Sequence, residues 1–226
     1  MSANSRLVKI AELIRKGDRV ADIGSDHAYL PIFLVKSGIS PFAFACDVSD
    51  GPLNNARANI ERSGVFNVEV RKGDGLAAVA PDEADTFVIA GMGGDLIIKI
   101  LSAAEWIKLD KYELILQPMT SAEDLRKYLL ENGFSIKNER AVTSAGRIYT
   151  VIKACYTGQI KECDSYFYYV GMLTENMGDD ERKYIMRKRR ILAKLAGDIS
   201  GIESEKERYV RLSKVIEKID GLSDNE

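Results

Sequence analysis

Arg19-Val-Ala-Asp-Ile-Gly-Ser-Asp-His-Ala-Tyr-Leu-Pro31 decides how the rest of the chain is read. A short apolar run (Val20, Ala21, Ile23) ends in Asp22-x-Gly24, and Ser25 and Asp26 lead into an Ala/Leu-rich segment. That order predicts a buried strand, a tight turn and a helix start. Gly24, without a Cβ, lets the backbone turn sharply and lets a ligand come close. Ser25 or Asp26 is expected to cap the following helix by accepting its unpaired N–H groups. In an open parallel sheet, ligands bind beyond the carboxyl ends of the strands, which is where this turn falls.

A dinucleotide site calls for G-x-G-x-x-G. Counted from Gly24, its second and third glycine positions hold Asp26 and Tyr29, and Asp26 would repel a pyrophosphate. The acidic turn suits instead a cofactor with a cationic centre and no phosphate, which describes S-adenosylmethionine. An ordinary strand-to-helix turn in another α/β protein stays open at this point.

The 226 residues are enough for one good core and an appendage. A hydrophobic content of 46% and a charged content of 29% are those of an ordinary globular protein. The net charge of −2 means that any nucleic-acid contact must come from a local patch. Cys46, Cys155 and Cys163 are scattered and there is a single histidine, so neither a disulfide framework nor a metal site is expected. No signal peptide or membrane span is apparent, and the expected location is cytoplasmic. No obligate protein partner is evident.

Upstream of the turn, Leu7, Ile10, Ala11 and Ile14 form one apolar helix face that Gly17 stops, with Ser5 expected as cap. Arg6 lies in its first turn, unfavourably for the helix dipole; it reads as a solvated side chain or a functional one. Downstream, Phe42–Cys46 is a second strand ending at Asp47. An acid about 20 residues past the glycine turn is placed to accept hydrogen bonds from ribose hydroxyls, or to cap the next helix as a loop aspartate. Ser49 and Asp50 read as caps of a helix over about 52–63. The short strand Val68–Val70 runs into Gly73-Asp-Gly75, where Asp74 faces a ligand amine or bonds its own backbone. Strand Thr86–Ala90 precedes Gly91-Met-Gly-Gly94, a backbone surface nearly bare of side chains that suits a flat ring. Tyr112–Gln117 is strand five, stopped by Pro118, with Ser121 capping a helix over about 122–132.

Phe134–Thr143 and Arg147–Tyr156 are both strand-like and are joined only by Ser144-Ala-Gly146. With no room for a helix between them they must form an antiparallel hairpin. An alternating α/β sheet finishing this way is the layout of Rossmann-like methyltransferases. From about residue 164 helix formers dominate. Ile185, Leu192, Leu195, Ile199 and Ile202, then Tyr209, Leu212, Ile216 and Ile219, make two apolar stripes interrupted near Gly197–Gly201, predicting a helical hairpin. Arg182, Lys183, Arg187, Lys188, Arg189, Arg190 and Lys194 gather positive charge on its first helix, either a solvated face or a polyanion contact.

Asp22-Ile-Gly-Ser-Asp-His-Ala-Tyr-Leu-Pro31, Asp50-Gly-Pro52, Gly73-Asp-Gly-Leu76, Ile89-Ala-Gly-Met-Gly-Gly94 and Leu116-Gln-Pro118 together resemble the bacterial TrmK family. Its members are S-adenosylmethionine-dependent tRNA (adenine-N1)-methyltransferases acting on adenine 22. The resemblance takes in Ser5-Arg-Leu7 and the helical C-terminal part. Met119 stands where the family is expected to carry a polar residue. The resemblance implies a Rossmann-like class I methyltransferase domain over 1–158 and a coiled-coil-like helical domain over 159–226 that helps hold tRNA. It implies that Asp22, Gly24, Ser25, Asp47, Asp74, Gly75 and Gly91 line the cofactor. Arg6, His27 and Asp74 are then the catalytic candidates. Arg6, Met92 and Gly93 are placed beside the target base, with Arg187 and Arg190 on the RNA. A methyltransferase acting on another RNA or a small molecule, or a non-catalytic RNA-binding scaffold, are the alternatives.

Overall fold

The computed structural model describes residues 5–175 and 177–222; the outermost limits of the expected domains, residues 1 and 226, lie outside them. Helix α1 (Ser5–Leu13) leads into β1 (Val20–Ile23), α2 (Tyr29–Lys36), β2 (Ala43–Asp47), α3 (Asp50–Ser63) and β3 (Val68–Lys72). Then come β4 (Thr86–Met92), α4 (Gly94–Ser102), β5 (Glu113–Pro118), α5 (Ala122–Glu131) and the hairpin β6 (Phe134–Ser144)–β7 (Arg147–Tyr156). The seven strands lie in the order β3-β2-β1-β4-β5-β7-β6. β7 enters between β5 and β6, antiparallel to both. This is the Rossmann-like methyltransferase sheet, with its hairpin end, that the sequence predicts. The hairpin turns on Ala145 and Gly146, both at positive φ (50° and 72°), the two-residue form whose twist matches the strands.

The sheet is covered on both faces, so β1 is buried at every residue. Alternate strand residues divide between two cores. Ala21, Ile23, Phe87, Ile89, Leu114 and Leu116 pack under α4 and α5, while Val20, Val88 and Ile115 pack under α1 and α2. Asp22 shares the face of Val20, and so points toward α1. From β1 the chain steps outward through β2 and β3, then returns to β4 on the other side. The carboxyl ends of β1 and β4 therefore flank the crevice that a reversal of strand order leaves open.

Several local expectations are corrected. Neither Ser25 nor Asp26 caps α2: the helix starts later, behind Ala28 in the left-handed conformation (φ 54°), without a side-chain cap. Ser5 lies within α1 and its hydroxyl donates to the Thr143 carbonyl of β6. Ser49 precedes α3 without capping it, and Asp50, already helical, pairs with Lys72. Ser121 has φ 52°, and its hydroxyl reaches Asp95 instead of the helix N–H groups. At Ser5, Ser25 and Ser121 a tertiary partner or a turn conformation outcompetes the local cap. β3 runs to Lys72, and β4 runs on to Met92 with a register shift at Gly91.

Among the described residues the C-terminal part has three α-helices: α6 (Ser165–Val170), α7 (Asp179–Ile199) and α8 (Lys206–Asp220). The predicted hairpin is α7–α8, and α6 adds to it. Ile185, Leu192, Leu212 and Ile219 are buried as the stripes require, but Leu195, Ile202 and Tyr209 are exposed; Ala196 and Val215 take the inner positions instead. The core of these helices includes Ala141 and Ile148 of the hairpin. Two acids of α7 also meet the sheet edge: Glu181 accepts from Ala141 N (3.0 Å) and Asp180 from Thr143 N (2.9 Å). Bare edge N–H groups invite another chain, and these carboxylates occupy two of them. Among the described residues no helix is long and apolar enough to cross a membrane, and no cluster of His, Cys, Asp and Glu could hold a metal ion.

Candidate active site

The turn after β1 is tied to its neighbour: Gly24 N and Ser25 N both donate to the Cys46 carbonyl at 2.8 Å. Gly24 sits at φ +80°, and a Cβ there would lie 2.1 Å from the Met92 methyl carbon. Beyond the turn opens a cavity of about 300 Å³ walled by Arg6, Asp22, Gly24, Ser25, His27 and Ala90, among others. That volume is at the lower end of small-molecule sites, about 300–1,000 Å³.

Asp22 is 8% exposed. Burial pushes its carboxyl up to about 6, with Ser25 and the positive charge of Arg6 opposing the rise. Ser25 lies close enough to favour the ionised form, yet its buried hydroxyl has no hydrogen bond of good geometry. A buried acid and an orphaned hydroxyl on the wall of a cavity are groups that await a partner. They fit a ligand carrying a positive charge and hydrogen-bonding groups, as the amino-acid part and sulfonium of S-adenosylmethionine do. His27, at the same wall, lies 3.1 Å from Asp26 and stacks on Tyr29 with ring centroids 5.1 Å apart.

The remaining predicted residues spread along the same end of the sheet. Asp47 ends β2 half-buried, one carboxylate oxygen accepting from Ser49 N at 2.8 Å. Asp74 is exposed before a short turn of 3₁₀ helix, and its carboxylate makes no hydrogen bond among the described residues. Gly75 follows at φ +55° against Ile100. Neither Asp47 nor Asp74 lines the cavity at Gly24. Gly91 is at φ +79° with Arg6 Nη1 above it, 3.2 Å from where a Cβ would be. Met92 and Gly93 link this loop to the one after β5: the Met92 carbonyl accepts from Met119 N (2.7 Å), and Gly93 faces the Thr120 hydroxyl.

Sequence reasoning passed over two features. Gln117 reads from sequence as a strand end and part of the Leu116-Gln-Pro118 motif, with no role of its own, although a polar residue closing Leu-Ile-Leu must find partners when buried. A second hollow, of about 250 Å³, runs from Met119 and Thr120 past Tyr149 to Arg187 and Lys188 of α7. It joins the basic helix to the loops beside Gly91. Arg187 donates to the Ile148 carbonyl, Lys188 pairs with Glu123 at 2.8 Å, and Arg189 pairs with Asp220. Arg190 and Lys194 face solvent.

Strand order, the crevice between β1 and β4, and the acidic turn together define a Rossmann-like methyltransferase. The family described as methyltransferase domain matches residues 3–152. The tRNA (adenine(22)-N(1))-methyltransferase of Bacillus subtilis (strain 168) is 39% identical over 155 residues, 68% of this chain and 65% of that relative. The match thus spans slightly under two thirds of the relative's length. The crystal structure of the B. subtilis M1A22 tRNA methyltransferase TrmK is similar at a TM-score of 0.84 and 32% identity, over 97% of this chain and 98% of that one. Streptococcus pneumoniae Sp1610 in complex with S-adenosyl-L-methionine is similar at a TM-score of 0.79 and 31% identity, over 93% and 98% of the two chains. The chain belongs to the methyltransferase-domain family and, within it, to the TrmK family.

Proposed function

We propose that the chain transfers a methyl group from S-adenosylmethionine to N1 of adenine 22 in tRNA, in the cytoplasm. One observation carries the reading: similarity to B. subtilis TrmK extends over 97% of the chain, sheet and C-terminal helices alike. Bound S-adenosylmethionine supplies an electrophilic methyl group. The N1 lone pair of adenine is free at neutral pH and the product can remain cationic, so no side chain has to act as an obligatory base. Catalysis then consists of alignment and of stabilising charge.

In this proposal Asp22, Gly24 and Ser25 hold the cationic part of the cofactor, Asp47 the ribose, and Asp74 with Gly75 its adenine. Asp74 follows β3, three strands from β4, or roughly 14 Å at the usual strand spacing. That distance favours a cofactor-side role for Asp74 over a catalytic one. Arg6, His27 and the Gly91-Met92-Gly93 loop lie on the side where the target base would enter. Residues 159–226 form the tRNA-holding unit, with Arg187 and Arg190 against phosphates.

The test is labelled S-adenosylmethionine with two tRNA transcripts, one with adenine at position 22 and one without, followed by mass-spectrometric mapping. Label confined to adenine 22 is the expected result. Equal labelling of both transcripts would move the activity to another base, and no label on either would leave a binding protein.

A further inference from the structure

Gln117 is a fully buried amide near the end of β5, preceded by the apolar run Leu114-Ile-Leu116. Its Oε1 accepts two hydrogen bonds, from Gly91 N at 3.1 Å and from Arg6 Nη1 at 3.0 Å. Its Nε2 donates to the Pro118 carbonyl at 3.0 Å. The orientation follows from chemistry, since the reversed amide would set an NH₂ group against the Gly91 N–H. One oxygen atom thus fastens α1 to the irregular end of β4. Above Gly91, where no side chain intervenes, lies the Arg6 guanidinium. Arg6 also walls the cavity of Asp22 and favours that carboxylate's charged form. A leucine at 117 would continue the apolar run and fill much the same space. Burying an amide instead is costly unless its hydrogen bonds are made.

We infer that Gln117 is a positioning residue for the proposed methyl transfer, on which this inference rests. It sets the Arg6 guanidinium at the boundary between the cofactor cavity and the Gly91-Met92-Gly93 loop, so that the incoming base meets the methyl group in one orientation. Because it acts through Arg6 and the loop, its effect falls mainly on turnover and only secondarily, through the Arg6 charge near Asp22, on cofactor binding. A misplacement of about 1 Å at such a group lowers rate on the order of 100-fold.

Gln117→Leu is expected to lower kcat on a tRNA transcript roughly 30- to 100-fold, with the cofactor Kd by calorimetry within about threefold of the parent. In an Arg6→Leu background the same replacement is expected to add much less than in the parent, the remainder being the lost bond to Gly91 N. Gln117→Asn, which draws the oxygen back by one methylene but keeps the amide, should give a smaller loss with the same dependence on Arg6; it serves if the leucine variant does not fold. Gln117→Glu keeps an acceptor toward Gly91 and Arg6 but loses the donor to the Pro118 carbonyl and buries a charge, so it should recover only part of the turnover. Unchanged kcat, losses that multiply in the double variant, or a parallel loss of cofactor affinity would each overturn the inference alone. Absence of transfer by the parent chain would overturn the methyl-transfer reading as well.

Discussion

Two of the charged constellations that the chain buries are built on opposite principles. At the seam between sheet and C-terminal helices, Arg126 and Glu139 are both fully buried. Arg126 Nε lies 3.1 Å from Glu139, and its Nη1 donates to the Tyr168 carbonyl at 2.6 Å. Glu139 also accepts from the Thr150 hydroxyl and from Met172 N. Gly171 closes over the pair so tightly that a Cβ there would lie 2.0 Å from Glu139 Oε2. At the end of β1, by contrast, Asp22 is buried with only Ser25 and the Arg6 charge to ease it, and the Ser25 hydroxyl makes no hydrogen bond of good geometry. The seam is complete in itself, whereas the crevice is left incomplete. That difference separates a structural ion pair from a site waiting for a ligand, and it can be tested by breaking each.

The largest effect is expected at the seam. Arg126→Met leaves Glu139 charged and buried, and should lower stability by about 3–5 kcal/mol in urea denaturation. A loss below about 1 kcal/mol would mean that water reaches the pair and that the contrast with the crevice is overstated.

Asp22→Asn should act in the reverse direction. The folded state raises the Asp22 carboxyl from 3.8 to about 6, so it binds that proton more tightly than the unfolded chain does. The resulting stability is fully present below about pH 4, fades as pH rises through 6, and stays lost above it. Removing the charge should stabilise the ligand-free protein above pH 7 by roughly 3 kcal/mol, two pKa units' worth, and by little at pH 4. The same replacement should abolish most cofactor affinity. For the parent chain, calorimetry should show cofactor binding tightening from pH 5 to 7 with release of a proton. A variant less stable than the parent at pH 7.5 would show that the crevice is as self-sufficient as the seam.

How far these two regions could be read from the sequence differs for a physical reason. The turn at Asp22-Ile-Gly24 and the hairpin at 144–146 are local: their meaning lies in a few adjacent residues, and both are found where expected. Arg126 and Glu139 are ordinary charges on a helix and a strand, and nothing in their surroundings of sequence announces that α6 will close over them. The misplaced caps at Ser5, Ser25 and Ser121 have the same origin, since each hydroxyl answers to a tertiary neighbour or to none. Gln117 was half legible, as a polar residue at the end of an apolar strand. The basic run on α7 was legible as charge, but not its partial neutralisation by Glu123, Asp180 and Asp220.

That neutralisation sharpens the proposal for RNA binding. Arg190 is exposed, whereas Arg189 is held by Asp220. Arg190→Glu should weaken tRNA binding several-fold at low salt and flatten the salt dependence by one to two phosphate contacts, each worth a log–log slope of roughly one. Arg189→Glu should do less, since its charge is already engaged. Both should leave cofactor affinity unchanged. Equal effects from the two would mean that the Asp220 pair opens on binding; no effect from either would return α7 to a solvated helix face.

The smallest change in stability is expected at Ser25, and it is the most discriminating. Replacing a buried hydroxyl that is hydrogen-bonded usually costs about 1 kcal/mol. Ser25 Oγ makes no hydrogen bond of good geometry to lose, although it eases the charge on Asp22, so Ser25→Ala should change the stability of the ligand-free protein by only a few tenths of a kcal/mol. Thr150→Ala, the matched replacement at the seam, removes a bond to Glu139 and should cost on the order of 1–2 kcal/mol. If the Ser25 hydroxyl is held for the ligand, its absence should appear in cofactor affinity alone, as a loss of about five- to tenfold. Thermal melts of the two variants with and without S-adenosylmethionine give both quantities at once: the Ser25 variant should differ from the parent only when the ligand is present, and the Thr150 variant equally in both.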